Sequence, residues 1–204
     1  MRSLCLLLIS VCSVPAVSLD REAFSFIHYD LEARIEPAQQ RLGVRGKITL
    51  RNDSGTAQKN AVLQISSSLN WLSIQLDGKP AQFFSQTYTS DIDHTGALGE
   101  AVVALPKPVE PKKTITLEVG YEGIIPQDAT RLTRIGAPAE DAKHSDWDQI
   151  SSSFTGVRGI GYVAWYPIAT QAASLAEGND VVETAGRWKQ RETGAELRVR
   201  FSLL

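Results

Sequence analysis

Cysteine is nearly missing from this sequence. Its two copies, Cys5 and Cys12, both fall within the first 18 of 204 residues. The remainder of the chain therefore excludes disulfides and thiolate chemistry. Histidine is scarce as well, and His28, His94 and His144 stand far apart. No H-E-x-x-H and no cluster of Cys or His is present, so no metal-ligand set can be read from this chain. Charge of one sign is also lacking. A net charge of -2, with no run of like charge, excludes the electrostatic footprint of a nucleic-acid or anionic-membrane binder. Nucleophile signatures are absent too. "SSS" occurs at 66–68 and 151–153 without a G-x-S-x-G elbow. "GVRGIG" at 156–161 does not fit G-x-G-x-x-G, and no strand–helix pattern for a dinucleotide surrounds it. The one long apolar run, Leu4 to Val14, is shorter than the ~20 residues a membrane-spanning helix needs.

That run belongs to a leader. Arg2 precedes it, Pro15 breaks it, and the small residues Ala16 and Ser18 supply the −3 and −1 positions of a cleavage site. The pattern predicts a secretory signal peptide over residues 1–18, cut after Ser18. Val11 is too bulky before Cys12 for lipoprotein processing, so export without a lipid anchor at Cys12 is expected. An exported chain without disulfides fits a bacterial periplasmic or secreted protein. It must be held by its core alone, and ~185 residues are enough to build one.

The body opens with strands. Tyr29, Leu31, Ala33 and Ile35 alternate with Asp30, Glu32, Arg34 and Glu36, a period of two with one buried face. Pro37 ends the run. Val44, Gly46, Ile48 and Leu50 then alternate with Arg45, Lys47, Thr49 and Arg51, up to the turn Asn52-Asp53-Ser54-Gly55. The short link at 38–41 predicts antiparallel neighbours. "AVLQI" and "NWLSIQL" are the next strands. Asp77-Gly78 predicts a hairpin between "LSIQL" and "AQFFSQ". "GEAVVALP" is another strand, and Pro106, Pro108 and Pro111 are expected to mark a loop after it. Ile115, Leu117, Val119 and Tyr121 share one face of the strand that follows. About seven strands and no helix are thus expected between residues 24 and 124. Residues 126–158 are irregular, with room for a short helix in "AEDAKHSDWDQISSSF". "TQAASLAEGNDVVETAG" reads as loop with one helical turn. Leu197, Val199 and Phe201 alternate with Arg198, Arg200 and Ser202 in a final strand. The fold class is all-β, an antiparallel β-sandwich or saddle-like domain with long irregular C-terminal connections. Its expected parts are the main β-domain at 19–125 and, at 126–204, an extension with the final strand of the same domain. A strand ending on Leu203-Leu204 suggests truncation before a further domain.

Paired carboxylates occur in "DIDH" and "DWD". Asp91, Asp93, Asp146 and Asp148 match no calcium-loop spacing and are expected to be solvated. Trp71, Trp147, Trp165 and Trp188 are dispersed. The densest stretch is "GIGYVAWYPI" at 159–168, with aromatics, glycines and a proline but no nucleophile, carboxylate or metal ligand. Such aromatics either pack a core or interface, or line a binding surface.

The motif order Y-D-L-E-A-R-I-E-P, V-R-G-K-I-T-L-R-N, L-Q-I, L-S-I-Q-L-D-G and I-T-L-E-V-G-Y-E-G resembles the N-terminal β-domain of aminopeptidase N-like zinc metallopeptidases. The resemblance covers residues 24–204. Val163 to Pro167 ("VAWYP") fits the aromatic-Tyr/x-Pro element of that family, and "AELRVRFSL" fits the strand after it. By this resemblance Tyr162, Trp165, Tyr166 and Pro167 belong to a segment folding back toward a catalytic domain, at the substrate cleft or the domain interface. The family's H-E-x-x-H and G-x-M-E-N segments are absent, and Ile168-Ala169-Thr170 replaces the usual acidic residue after the proline. The resemblance therefore implies a non-catalytic part of a hydrolase. No catalytic residue and no metal site are assigned to this chain. Zinc would sit in a catalytic domain of the same or a separate chain, and peptides would be reached only through that domain. A parent peptidase that is active and one that has lost activity both fit. Two other readings stay open: a standalone secreted β-sandwich module that binds a protein or glycan, and a standalone hydrolase with an unrecognised site.

Overall fold

The computed structural model describes residues 19–204. The predicted signal peptide, with Cys5 and Cys12, lies outside the described residues. The chain folds into β1 (Phe24–Glu36), β2 (Arg41–Asn52), β3 (Gln58–Ser66), β4 (Leu69–Leu76), β5 (Lys79–Pro80), β6 (Gln82–Thr89), β7 (Ala97–Val109) and β8 (Thr114–Ile124). It continues through α1 (Thr130–Arg134), α2 (Ala139–Ser145), the small hairpin β9 (Gln149–Ile150) and β10 (Thr155–Gly156), α3 (Asp180–Arg191) and β11 (Glu196–Leu203). One sheet has the order β11-β1-β2-β8-β4-β5 and the other β3-β7-β6. The fold is all-β, as the alternation predicts.

The predicted register is visible in burial. Leu31, Ile48, Leu50 and Leu117 are fully buried, and Tyr29, Ala33, Val44, Val119 and Tyr121 nearly so. The residues between them form the polar outer face of the larger sheet. On the facing sheet Ala61, Leu63, Ile65, Ala101 and Val103 join the same apolar cluster. The two sheets therefore share one core. Trp71 fastens them by donating its indole N–H to the Gly99 carbonyl, 3.0 Å away.

Four local expectations need correction. Asp77 and Gly78 do make the tight turn, with φ of 52° and 71°. Only Leu76↔Lys79 and Gln75↔Pro80 pair across it, however. One more bond follows, from Ala81 N–H to the Ile74 carbonyl at 2.9 Å, and the chain then crosses to the other sheet, where β6 pairs with β7 from Gln82↔Ala104 to Thr89↔Ala97. Pro106 and Pro108 lie within β7 rather than in a loop. The register to β3 jumps from Asn60↔Ala104 to Gln58↔Val109, so the prolines occupy an irregular stretch where ladder donors are not required. Residues 180–191 form a three-turn helix in place of one helical turn. Val181, Thr184, Ala185 and Trp188 bury one face, Asp180 and Glu183 occupy the first turn, and Lys189 and Arg191 the last, each favourable to the helix dipole. Finally, β11 pairs with β1 in parallel, from His28↔Glu196 to Ile35↔Leu203. The larger sheet is thus mixed at this edge.

A second apolar cluster lies around α3. It gathers Ile92, Leu98, Ile160, Ala164, Ile168, Val181, Ala185 and Trp188. Helix and crossing loops pack on the part of the smaller sheet around Leu98, while Phe84 of β6 stays exposed.

Burial sets the expected response to truncation. Ile48→Ala removes atoms from the shared core and should cost about 2–4 kcal/mol in chemical denaturation. Lys47→Ala, one residue away on the wet face, loses only an exposed pair with Glu118 at 3.3 Å. It should change stability by less than about 1 kcal/mol.

Candidate functional site

The segment at 159–170 is a clasp between the sheets and α3. Gly159 and Gly161 hold φ of 93° and 90°, a region that L side chains enter only with strain. At Gly159 the space a Cβ would need is taken by the Tyr166 ring. Beyond this turn the chain runs along the edge of β3. Ser66 N–H donates to the Ala164 carbonyl at 2.7 Å, Gln64 N–H to the Ile168 carbonyl at 2.7 Å, and Ile168 N–H back to the Gln64 carbonyl at 2.9 Å. The Gln64 side chain continues the contact, accepting from Thr170 N–H at 2.8 Å and donating to its carbonyl at 3.1 Å. Two core tyrosines finish it. Tyr29 donates its hydroxyl to the Pro167 carbonyl at 2.9 Å, and Tyr121 to that of Trp165 at 3.1 Å. Burial raises the pKa of both phenols well above the ordinary value, so they act as fixed hydrogen-bond donors.

The four singled-out residues do not converge on one point. Pro167 is buried. Tyr166 packs edge-on against Tyr29 at 6.0 Å between ring centroids and lies 6.1 Å from Trp188 of α3. Trp165 meets Tyr166 at 5.0 Å and, on its other side, Phe201 of β11 at 6.0 Å. Tyr162 stands apart, with the Arg158 guanidinium 3.4 Å over its ring. The other face of the site belongs to β11, where Leu197, Phe201 and Leu203 are 50%, 62% and 72% exposed. Trp165, Phe201 and Leu203 thus offer an apolar strip with core on one side and open space on the other.

The aspartates correct a further expectation. Asp91, Asp93, Asp146 and Asp148 are buried, not solvated. Asp146 holds Arg131 through two bonds of 2.8 Å. Asp148 accepts from Arg158 Nε at 2.7 Å and from its backbone N–H at 2.6 Å. Asp91 pairs with Arg134 and accepts Leu175 N–H at 2.8 Å. Asp93 accepts Ser66 Oγ at 2.9 Å and Ala164 N–H at 2.8 Å, while burial pushes its carboxyl up. The sequence did show complementary arginines in the same irregular region, but their pairing across 10 to 43 positions carries no local signature. These carboxylates staple the loops that carry the clasp. His94 is fully buried, and neither ring nitrogen has a protein partner. Among the described residues no group of three or more His, Cys, Asp or Glu could hold a metal ion. No helix among the described residues is long and apolar enough to cross a membrane.

Glu192 ends α3 and leads into β11. Its side chain is buried, one oxygen lacks a partner, and the other accepts from Arg191 Nε at 3.2 Å. Burial pushes its carboxyl up to about 7.

No protein-family model matches the chain, and no curated protein matches it. Solved structures do. The M1 zinc metallopeptidase from Deinococcus radiodurans is 20% identical with a TM-score of 0.42, over 52% of this chain and 22% of that one. Native yeast LTA4 hydrolase is 16% identical with a TM-score of 0.41, over 54% of this chain and 16% of that one. The same yeast protein in complex with bestatin gives 16% and 0.38, over 50% and 15%. This chain is similar to M1 zinc metallopeptidases over about half its length, and the match spans only a small part of theirs.

Two measurements follow from the buried charges. Arg131→Ala would strand Asp146 without its cation and should cost about 3 kcal/mol in denaturation, against less than about 1 kcal/mol for exposed Arg45→Ala. Glu192 binds its proton more tightly folded than unfolded. Its contribution is therefore complete below the ordinary carboxyl pKa and is lost as pH rises toward about 7. Stability should fall by about 2 kcal/mol from this group between those limits. Glu192→Gln, permanently neutral, should flatten that part of a stability–pH curve.

Proposed function

We propose that this chain is the non-catalytic β-domain of an exported, aminopeptidase N-like zinc metallopeptidase system. It docks on a catalytic domain, of the same or a separate chain, and shapes one side of that domain's substrate cleft. One observation carries the reading. The two elements that the sequence resemblance links, "VAWYP" and "AELRVRFSL", meet in space through Trp165 and Phe201. They leave an apolar strip of Phe201 and Leu203 uncovered. An apolar strip continuous with the core is what a domain interface requires. The ladder to β1 holds Phe201 and Leu203, and bonds from the clasp to β3, Tyr29 and Tyr121 hold Trp165 beside them. Tyr162, exposed at the start of the clasp, is the residue best placed to reach beyond the domain's own packing. Zinc, the general base and peptide binding belong to the partner domain. Export rests on the leader at 1–18.

The test is enzymatic. The purified chain, incubated with aminoacyl-amide and peptide substrates with and without added zinc, should release no amino acid above a buffer blank. Release that a chelator abolishes would show a complete active site in this chain and would overturn the assignment.

A further inference from the structure

The outer face of the larger sheet carries charge in alternating columns. β8 presents Glu118 and Glu122, β2 presents Arg41, Arg45 and Lys47, β1 presents Asp30, Glu32 and Glu36 with Arg34 paired to Glu36, and β11 presents Arg198 and Arg200 with Glu196 at its start. The columns bind their neighbours: Lys47–Glu118 at 3.3 Å, Arg41–Glu122 at 2.5 Å, Arg45–Glu32 at 2.8 Å, and Arg200 to Asp30 at 3.2 Å and Glu32 at 3.3 Å. Opposite charges on facing residues of adjacent strands stabilise the pairing. The predominant sign from β8 outward is negative, positive, negative, positive, with Arg34 and Glu196 as the exceptions, and the series stops at β11. Among the described residues that strand is outermost in its sheet, and no described strand lies beside one row of its backbone N–H and C=O groups. Among the described residues none lies across from Arg198 on that side. It bonds to Glu196 of its own strand at 3.2 Å and is more than half exposed. On the opposite face Leu197, Phe201 and Leu203 are uncovered.

We infer that β11 takes up one more strand, from a partner polypeptide in which acidic and apolar residues alternate. The acidic residues would face Arg198 and Arg200, continuing the columns. The apolar ones would extend the strip of Leu197, Phe201 and Leu203, and the backbone would close the open ladder, as in strand addition generally. Two nearer candidates fit poorly. A second copy of β11, paired about a twofold axis in the registers of greatest overlap, centred on Val199 or Arg200, sets arginine against arginine, which is destabilising. The leader at 1–18 contains no Asp or Glu. The inference goes beyond the assignment as a peptidase β-domain, because it concerns the chemistry of the strand and not the chain that supplies it.

The probe is a fluorescent ten-residue peptide alternating glutamate and valine, N-methylated along one edge so that it stays monomeric. Its binding to the purified chain is followed by anisotropy, beside the lysine–valine counterpart. The glutamate peptide should bind at least tenfold more tightly, weaken as salt is raised, and protect β11 amides from hydrogen exchange. Arg198→Glu should reverse the preference. Arg198→Gln should weaken the glutamate peptide several-fold, with the circular dichroism of both variants unchanged. Equal binding of the two peptides would reduce β11 to a generic edge and overturn the inference. So would binding by neither, or a dimer of the chain that itself protects β11. None of these outcomes bears on whether the chain releases amino acids.

Discussion

The arrangement depends on one row of hydrogen bonds, the docking of residues 164–170 against β3. Without it β3 would be a bare edge, with Gln64 and Ser66 buried and their backbone groups unpaired. An unpaired buried backbone group costs about as much as a lost hydrogen bond. The clasp satisfies these groups and in doing so fixes three other things. It seats Tyr166 between β1 and α3, directs Trp165 toward β11, and brings Ala164 to the buried carboxylate of Asp93. The aromatic stretch is therefore primarily a joint. Its exposed members are by-products of a path dictated by β3, and that path gives them their rigidity.

The irregular region needs a different kind of support. Between β8 and β11 there is little sheet, so backbone ladders cannot hold the chain. Buried aspartate–arginine pairs take over: Asp146 with Arg131, Asp148 with Arg158, and Asp91 with Arg134. Such pairs gain little net free energy because both ions lose water. Their directionality is what matters, since a bidentate guanidinium fixes a loop in one orientation. Arg158 is stacked as well, between Trp147 at 4.1 Å and Tyr162 at 3.4 Å. A chain without cysteine in its body holds its loops by these means.

Alternation made most of the sheet legible. The faces of β1, β2 and β8 were readable because period-two burial needs only local sequence. Long-range choices were not readable in the same way. Nothing around Pro80 says that the strand after it belongs to another sheet. Nothing in "AELRVRFSL" says that it lies parallel to β1. α3 was within reach, because Val181, Thr184, Ala185 and Trp188 have helical spacing. Gly186 in its middle and the β-branched residues at its start mask that signal by lowering helix propensity. At the site, the aromatic cluster was visible in sequence. That Trp165 meets Phe201 was not, since the contact spans 36 positions and depends on the clasp. The aspartates misled because acidic residues in loops are usually wet; arginine partners reverse that for Asp91, Asp146 and Asp148, and Ser66 and the Ala164 N–H do so for Asp93.

The central claim is that the strip beside Trp165 is covered by a catalytic domain. A photo-crosslinking amino acid at Phe201, introduced in the cells that make the protein, tests this most directly. The account predicts one dominant crosslink, mapped by mass spectrometry to a polypeptide that carries H-E-x-x-H. Crosslinks that map only to a chain without that motif, or no crosslink while the same probe at buried Tyr166 joins its own neighbours, would contradict it.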